Sequence, residues 1–498
     1  RLGIVYTPVE VVDFIIHSIN DLLQSEFGLT LGSKGVHIID PFTGTGTFIT
    51  RLLQSGLISR DQLPQKYKNE IHANEIVLLA YYIAAINIEA VYHSLVCGKY
   101  EPFQGICLTD TFQLYEKGDM ISDLLTNNSD RRKRQKALPV RVIMGNPPYS
   151  AGQKSANDDN PNVAYPSLDQ RIHETYKQLS TSKSTKDLDN SYIRAIRWGS
   201  DRLGGSGILA YVSGNGWIDK GFADGMRSCL AQEFQKVLVV NLRGDVRKNM
   251  FSKGAAKEGG NVFGAGCMNG ISIAFFLKKA DKSDGCEIRY YDIGDDLTCE
   301  AKLNKIASLK SVEGIFTKAN WLQITPNVRQ DWIDQRDLSF EANPVLGEKK
   351  QIQSKTIFEN YSLGINTNRD PWCYNFSKVD MLKSMAETIR FYNDQAADYA
   401  ATSGRSVQEF VDKDSTKIKW SSSLIPKVEK GTIGVFRPEA ATICMYRPFQ
   451  RQWLYYDRMF NHRTGQMPAI FPSSRVANLL ICVSGVGARS GFSAFISN

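Results

Sequence analysis

What this 498-residue chain lacks narrows the possibilities first. Its nine cysteines are an odd number, scattered from Cys97 to Cys482 with no C-x-x-C pair, so neither a disulfide framework nor a thiolate zinc site is indicated and a reducing, cytoplasmic setting is expected. No apolar run approaches the roughly 18 residues that a membrane-spanning helix needs. Stretches such as Val77 to Ile83 and Ala477 to Gly487 are short or interrupted, and no signal-peptide pattern opens the chain. The 39 glycines and 17 prolines are too few for a collagen-like or linker-dominated protein. Six histidines are scattered without metal-ligand spacing, so no metal is expected, and no G-x-x-x-x-G-K-[ST] phosphate loop is present. The charge excess is small too: 60 Lys and Arg against 52 Asp and Glu leave +8, which fits a polyanionic partner and equally fits ordinary solubility.

What remains is an ordinary globular composition, 42% apolar and 22% charged, long enough at about 150 residues per domain for two large domains or three smaller ones. The chain opens on Arg1 and ends just after an apolar, Gly-rich pattern, so it reads as part of something longer. Val12, Ile15, Ile16, Ile19 and Leu23 recur at helical spacing after Tyr6-Thr7-Pro8, which predicts a helix over residues 9–23. From Gly35 onward short β-rich runs alternate with helical stretches: residues 36–39 then 48–54, 71–73 then 77–92, and later 140–144. That alternation predicts a parallel sheet with crossover helices. Asp40, Glu75, Asp110 and Asn146 close successive strand candidates at intervals of 35, 35 and 36 residues, about one β-α unit each. In doubly wound sheets, ligands bind off the carboxyl ends of the strands, where these four side chains would converge.

The polar stretch from Ser150 to Asn190 reads as a mobile loop followed by a helix through Tyr192 and Trp198, and further strands over 207–213, 235–242 and 270–278 would close a sheet of about seven. A Pro/Gly/Lys-rich shift from Asn343 to Lys355 marks a boundary, giving domains at 1–345 and 346–498, the second of mixed α+β character.

Two motifs carry chemistry. Asp40-Pro41-Phe42-Thr43-Gly44-Thr45-Gly46-Thr47-Phe48 joins a strand to a helix, with glycines that let backbone approach a ligand. It is not the dinucleotide fingerprint, because Ile49 stands where a third glycine belongs; a plain tight turn is the alternative. Asn146-Pro147-Pro148-Tyr149 follows the strand at 140–144. Its prolines fix φ and remove two amide donors, so the carbonyl oxygens beside Asn146 can accept from a substrate amine while Tyr149 offers a ring for stacking; a rigid surface turn is the alternative.

With these residues in this order, the chain resembles the amino-group S-adenosylmethionine-dependent DNA methyltransferases of the adenine-N6 type, in which cofactor motifs precede Asn-Pro-Pro-Tyr and target recognition comes last. The resemblance implies a Rossmann-like, doubly wound, mostly parallel α/β sheet of seven strands over roughly residues 1–280. It implies that Tyr6, Thr7, Pro8, Asp40, Gly44 and Gly46 surround the methionine end of the cofactor, that Phe42 also binds the cofactor, that Glu75 binds its ribose, and that Asp110 and Phe112 meet its adenine. Asn146, Pro147, Pro148 and Tyr149 would hold a flipped target adenine, with Phe263 a candidate for its other face or simply a core residue.

Tyr361-Ser362-Leu363-Gly364-Ile365-Asn366-Thr367-Asn368-Arg369-Asp370 and Tyr446-Arg447-Pro448-Phe449, with Trp453, Tyr455, Tyr456 and Asp457, are similar to the specificity region of Type ISP restriction–modification enzymes. Those are single polypeptides with nuclease, helicase-like ATPase, methyltransferase and target recognition parts. The expected partners are therefore double-stranded DNA and those nuclease and ATPase parts, with no membrane and a monomeric state.

The basic run Arg131, Arg132, Lys133, Arg134 and Lys136 reads as a solvated loop or a phosphate contact, and Arg369, Arg447, Arg451 and Arg463 as readers of guanine edges or phosphates. Competing functions are a phage-defence adenine methyltransferase without a motor, an RNA or protein-amide methyltransferase, and a non-catalytic DNA-recognition subunit.

Overall fold

The computed structural model describes residues 6–115, 128–149, 165–182, 184–252, 254–264, 267–281, 285–347, 356–402, 406–472, 476, 478–485 and 492–497. The chain divides into two compact units, one ending at Arg336 and the other running from Asp337.

The first unit is built on a nine-stranded sheet in the order β3-β2-β1-β4-β5-β7-β6-β8-β9. Its strands are β1 (His37–Asp40), β2 (Ile71–Glu75), β3 (Ile106–Leu108), β4 (Val140–Gly145), β5 (Gly207–Gly214), β6 (Lys236–Arg243), β7 (Ile271–Lys278), β8 (Glu287–Asp292) and β9 (Leu322–Ile324). β3, β2, β1, β4 and β5 run parallel, whereas β7 enters antiparallel between β5 and β6. The expected mostly parallel, doubly wound sheet is therefore present, and β8 and β9 extend it beyond β6.

Both faces of the sheet are covered, which is why its central strands are apolar throughout rather than alternating. Ile38, Val142, Met144, Ile208, Ala210 and Val212 face one core, shared with the buried stripe of helix α1 (Val9–Phe27). Ile39, Val140, Ile143, Leu209 and Tyr211 face a second core on the other side. Helix α1 stops at Gly28, whose left-handed φ of 66° lets its amide and that of Leu29 close on Gln24 and Leu23. Further helices are α2 (Thr47–Gln54), α3 (Leu78–Leu95), α4 (Asn128–Ala137), α5 (Pro166–Ile172) and α6 (Ser191–Arg202).

Two stretches differ from the sequence reading. The basic run lies on α4, not in a loop: Arg132 is buried, and Arg131 donates to the Tyr81 hydroxyl (3.2 Å) and the Ile106 carbonyl (3.3 Å). The same helix begins with Asn128, whose side chain exchanges two 2.9 Å hydrogen bonds with the backbone of Leu108 and so occupies the open edge of β3. Within the polar stretch from Ser150 to Asn190, residues 150–164 lie outside the described residues, but α5 follows directly. Tyr165, Leu168, Ile172, Tyr176 and Leu188 are all buried, a sparse apolar stripe that surrounding polar residues conceal in the sequence.

In the second unit a three-stranded antiparallel sheet, β10 (Tyr374–Asn375), β12 (Gln450–Tyr455) and β11 (Ala441–Arg447), packs with the helix Lys378–Ala400. Met381, Met385, Ile389, Tyr392, Leu454 and Tyr455 belong to its core. A separate hairpin pairs β13 (Leu480–Val483) with β14 (Ala494–Ser497). This is the mixed α+β character expected.

Candidate cofactor and substrate site

The strand order reverses between β1 and β4, and the two chemical motifs leave the sheet at the carboxyl ends of these neighbours. The contact is tight enough to require glycine at the end of β4: a Cβ on Gly145 would sit 2.8 Å from Asp40 Oδ1.

Asp40 ends β1 fully buried. Its Oδ1 accepts the Phe42 amide at 3.0 Å, while Oδ2 is buried with no hydrogen-bond partner. Burial above all, with Glu75 adding repulsion, pushes its carboxyl up to about 8. The loop then passes through Gly44 and Gly46 in left-handed conformations, φ 56° and 93°. At Gly46 a Cβ would also lie 3.3 Å from the Ala84 backbone, so a side chain there would press α3 away by a few tenths of an ångström as well as strain the left-handed backbone.

Glu75, at the end of β2, accepts the amides of Gly44 (2.8 Å) and Val77 (2.7 Å), and its burial raises its pKa. Thr109 donates its amide to the Glu75 carbonyl at 2.8 Å, and the Thr111 hydroxyl donates to the Pro41 carbonyl at 2.6 Å. The loops after β1, β2 and β3 are thus tied into one cradle. Asp110 accepts the Phe112 amide (2.9 Å) and the Tyr165 hydroxyl (2.8 Å), and burial raises its pKa as well. Phe112 is buried, its ring 5.5 Å from that of Phe42 and 5.2 Å from that of Tyr165. Asp40, Glu75 and Asp110 therefore gather three buried carboxyls whose hydrogen bonds come from backbone amides and one phenol. No Lys or Arg among the described residues donates to any of them.

Beside this cradle, Asn146 donates through Nδ2 to the Thr7 hydroxyl at 3.0 Å, across 139 positions of sequence. That bond sets which way the amide faces. Thr7 is held in turn at the start of α1, where the Pro8 carbonyl accepts from Val11 and Val12, while Tyr6 is 75% exposed. Pro147 is buried, Pro148 half-buried. Tyr149 donates its hydroxyl to the Val212 carbonyl at 3.1 Å. Its ring lies 6.3 Å from Tyr192, and 6.1 Å from Phe263 at a steep 63°. Phe263 packs against the first core and meets Tyr149 edge-on, so these two rings do not form a parallel slot.

Sequence reasoning missed Tyr165 as the partner of Asp110 and Asn87, which donates to the Thr45 carbonyl at 2.9 Å. Tyr165 carries no motif. Asn87, however, is the single polar residue between Ile76 and Ile88 apart from two tyrosines, an oddity visible in the sequence.

Among the recognition arginines the expectation fails for Arg369. It is fully buried, donating to the carbonyls of Thr367 (3.2 Å) and Phe460 (2.9 Å) and the Ser421 hydroxyl (2.6 Å), so it supports the loop from inside. Arg447, Arg451 and Arg463 are exposed, Arg447 with its guanidinium 4.4 Å from the Tyr446 ring centre. A cavity of about 570 Å³ in this unit is lined by Asn366, Asn368, Asp370, Trp372 and Lys419 among others.

The chain thus has an α/β sheet with an acid-lined cradle and Asn-Pro-Pro-Tyr on either side of its switch point, and a smaller α+β unit. The family described as the Type ISP C-terminal specificity domain matches residues 356–498. Among solved structures, the ATP-dependent Type ISP restriction–modification enzyme LlaBIII bound to DNA is 40% identical with a TM-score of 0.90, covering 100% of this chain and 32% of its own. A nuclease-deletion mutant of the Type ISP enzyme LlaGI, in complex with a DNA substrate mimic, is 39% identical with a TM-score of 0.90, covering 99% of this chain and 40% of its own. The DrdV–DNA complex is 34% identical with a TM-score of 0.89, covering 100% and 48%. Among curated proteins nothing matches. The chain belongs to the Type ISP restriction–modification family, and it spans between about a third and a half of the length of these relatives.

Proposed function

We propose that the chain transfers a methyl group from S-adenosylmethionine to N6 of an adenine flipped out of double-stranded DNA, as the modification and recognition part of a restriction–modification enzyme. The observation that carries this is the cradle of Asp40, Glu75 and Asp110 beside Asn146-Pro147-Pro148-Tyr149 at one switch point. A cradle of buried carboxyls to which no Lys or Arg of the described residues donates fits a ligand with an ammonium and a sulfonium at one end and a ribose diol in its middle. Asp40, with its unpaired buried oxygen, meets the methionine part, and Gly44 and Gly46 line it. Glu75 keeps lone pairs for ribose hydroxyls beside the two amides it already accepts. Asp110 receives the adenine amine of the cofactor, within reach of Phe112 and Tyr165.

The cofactor supplies an electrophilic methyl on sulfur. The chain supplies position. An exocyclic adenine amine is a poor nucleophile because its lone pair is delocalised into the ring. Acceptance of its two hydrogens by the Asn146 amide oxygen and the Pro147 carbonyl favours the pyramidal geometry in which that lone pair is available. Asn146 and Pro147 would expose that lone pair in line with the methyl of a cofactor held by Asp40, Glu75 and Asp110, and the methylated N6 would give up its surplus proton to water. Thr7 keeps the Asn146 amide in this orientation. Flipping costs a few kcal/mol, offset in part by stacking on Tyr149.

The second unit supplies target recognition, and nuclease and ATPase parts are partners in the longer enzyme. The test is to incubate the chain with labelled S-adenosylmethionine and unmethylated genomic DNA, digest to nucleosides, and identify the product by mass spectrometry. Labelled N6-methyldeoxyadenosine is expected. Label on another nucleoside, or none although cofactor and DNA both bind, would overturn the reading.

A further inference from the structure

Helix α3 has two apolar faces. Tyr81, Ala84, Ile88 and Tyr92 are buried at helical spacing, as a surface helix requires. The opposite face should be charged or polar, yet it presents Leu79 at 69% exposure and Ile86 at 64%, with Tyr82 and Ile83 exposed between them. Ile76 and Leu78 continue the patch at its start, and no charged residue occurs from Ile76 to Ile88. The contrast with α4 is direct: on that helix four of the five exposed positions, Asp130, Lys133, Arg134 and Lys136, are charged, the fifth being Ala137.

We propose that this outer face of α3 is a docking surface for polypeptide that a complete enzyme of this family carries beyond these 498 residues. Two observations choose that occupant. The relatives that match essentially the whole chain are two to three times longer, since it covers 32%, 40% and 48% of them. The face is also only one helix wide, a patch of a few hundred Å², well short of the roughly 800 Å² per partner that a stable complex of separate molecules buries. A tethered segment needs less, because its effective concentration reaches the millimolar range. A membrane surface fits poorly, since interfacial helices border their apolar face with Lys and Arg and this stretch has neither. The occupant is thus an apolar segment of the same polypeptide.

The test places the photo-crosslinker p-benzoylphenylalanine at position 82 of the complete gene product, followed by irradiation, digestion and mass spectrometry. Crosslinks to residues outside these 498 are expected. Crosslinks confined to a second copy or to residues within the 498, no crosslinks at all, or a gene that encodes nothing beyond them would each overturn the proposal. A paired change, Leu79→Glu with Ile86→Glu, controls for folding. In the 498-residue chain it should leave the melting temperature and cofactor binding unaltered, while in the complete protein it should speed hydrogen exchange along α3 at least tenfold. Equal exchange with and without the paired change in the complete protein would count against docking. These readouts are independent of methyl transfer, so they stand or fall apart from the catalytic reading.

Discussion

Asp40 offers the sharpest numerical prediction. Its carboxyl is buried, one oxygen holds a single amide and the other holds nothing, and burial with the nearby Glu75 pushes its pKa from 3.8 up to about 8. Burial, with the charge of Asp40 adding to it, likewise raises the pKa of Tyr211 on β5. The sign follows from proton counting. Between about pH 4 and 8 the folded chain holds a proton that the unfolded chain has lost, so stability falls as pH rises through that window. A tenfold change in a proton-binding constant corresponds to about 1.4 kcal/mol, so the cost of forcing Asp40 to ionise is on the order of 6 kcal/mol.

A cationic ligand reverses this preference, because it pairs with the ionised form. Affinity for S-adenosylmethionine should therefore rise up to about tenfold per pH unit as pH approaches 8 and level off above it, with close to one proton released per ligand bound at pH 7. The α-amine of the ligand titrates near 7.7–8.0 itself, so the measured quantity is the difference between wild type and Asp40→Asn, in which the ligand's own ionisation cancels. Calorimetry at pH 6, 7, 8 and 9 in buffers of different ionisation enthalpy reads both affinity and proton release. A difference that stays flat from pH 6 to 8, with no proton released, would refute the argument.

Five substitutions separate the remaining roles. Asn146→Ala should abolish methyl transfer while cofactor affinity by calorimetry changes less than about twofold; retention of more than a few percent of activity would remove Asn146 from catalysis. Glu75→Ala deletes the acceptor for Gly44 and Val77 and should weaken cofactor binding at least tenfold, with a stability loss of about 1–3 kcal/mol in urea unfolding. Thr7→Val keeps the shape but loses the bond to Asn146, so kcat should drop with KM for DNA little altered. Arg369→Ala should destabilise the second unit by about 3 kcal/mol in thermal unfolding, whereas Arg447→Ala, at an exposed position, should leave the melting temperature in place and lower the salt slope of DNA binding by about one.

The sequence by itself determined where the central strands lie and what stands at their ends. Strands such as residues 140–145 and 207–214 are local apolar runs, and a glycine-rich turn or a pair of prolines constrains its own backbone wherever the chain places it. The spacing of Asp40, Glu75, Asp110 and Asn146 followed from the length of a β-α unit. Tertiary structure alone decided contacts between residues far apart. Nothing near Thr7 announces Asn146, nothing near Tyr165 announces Asp110, and Arg369 reads as a surface arginine until the fold encloses it. The antiparallel entry of β7 and the extension by β8 and β9 are likewise choices of pairing partner, which local patterns leave open because a strand's own periodicity does not specify its neighbour. The raised pKa of Asp40 belongs to the same category: a carboxyl's ionisation depends on the water and charges around it, and only the packed strand ends remove the one and supply the other.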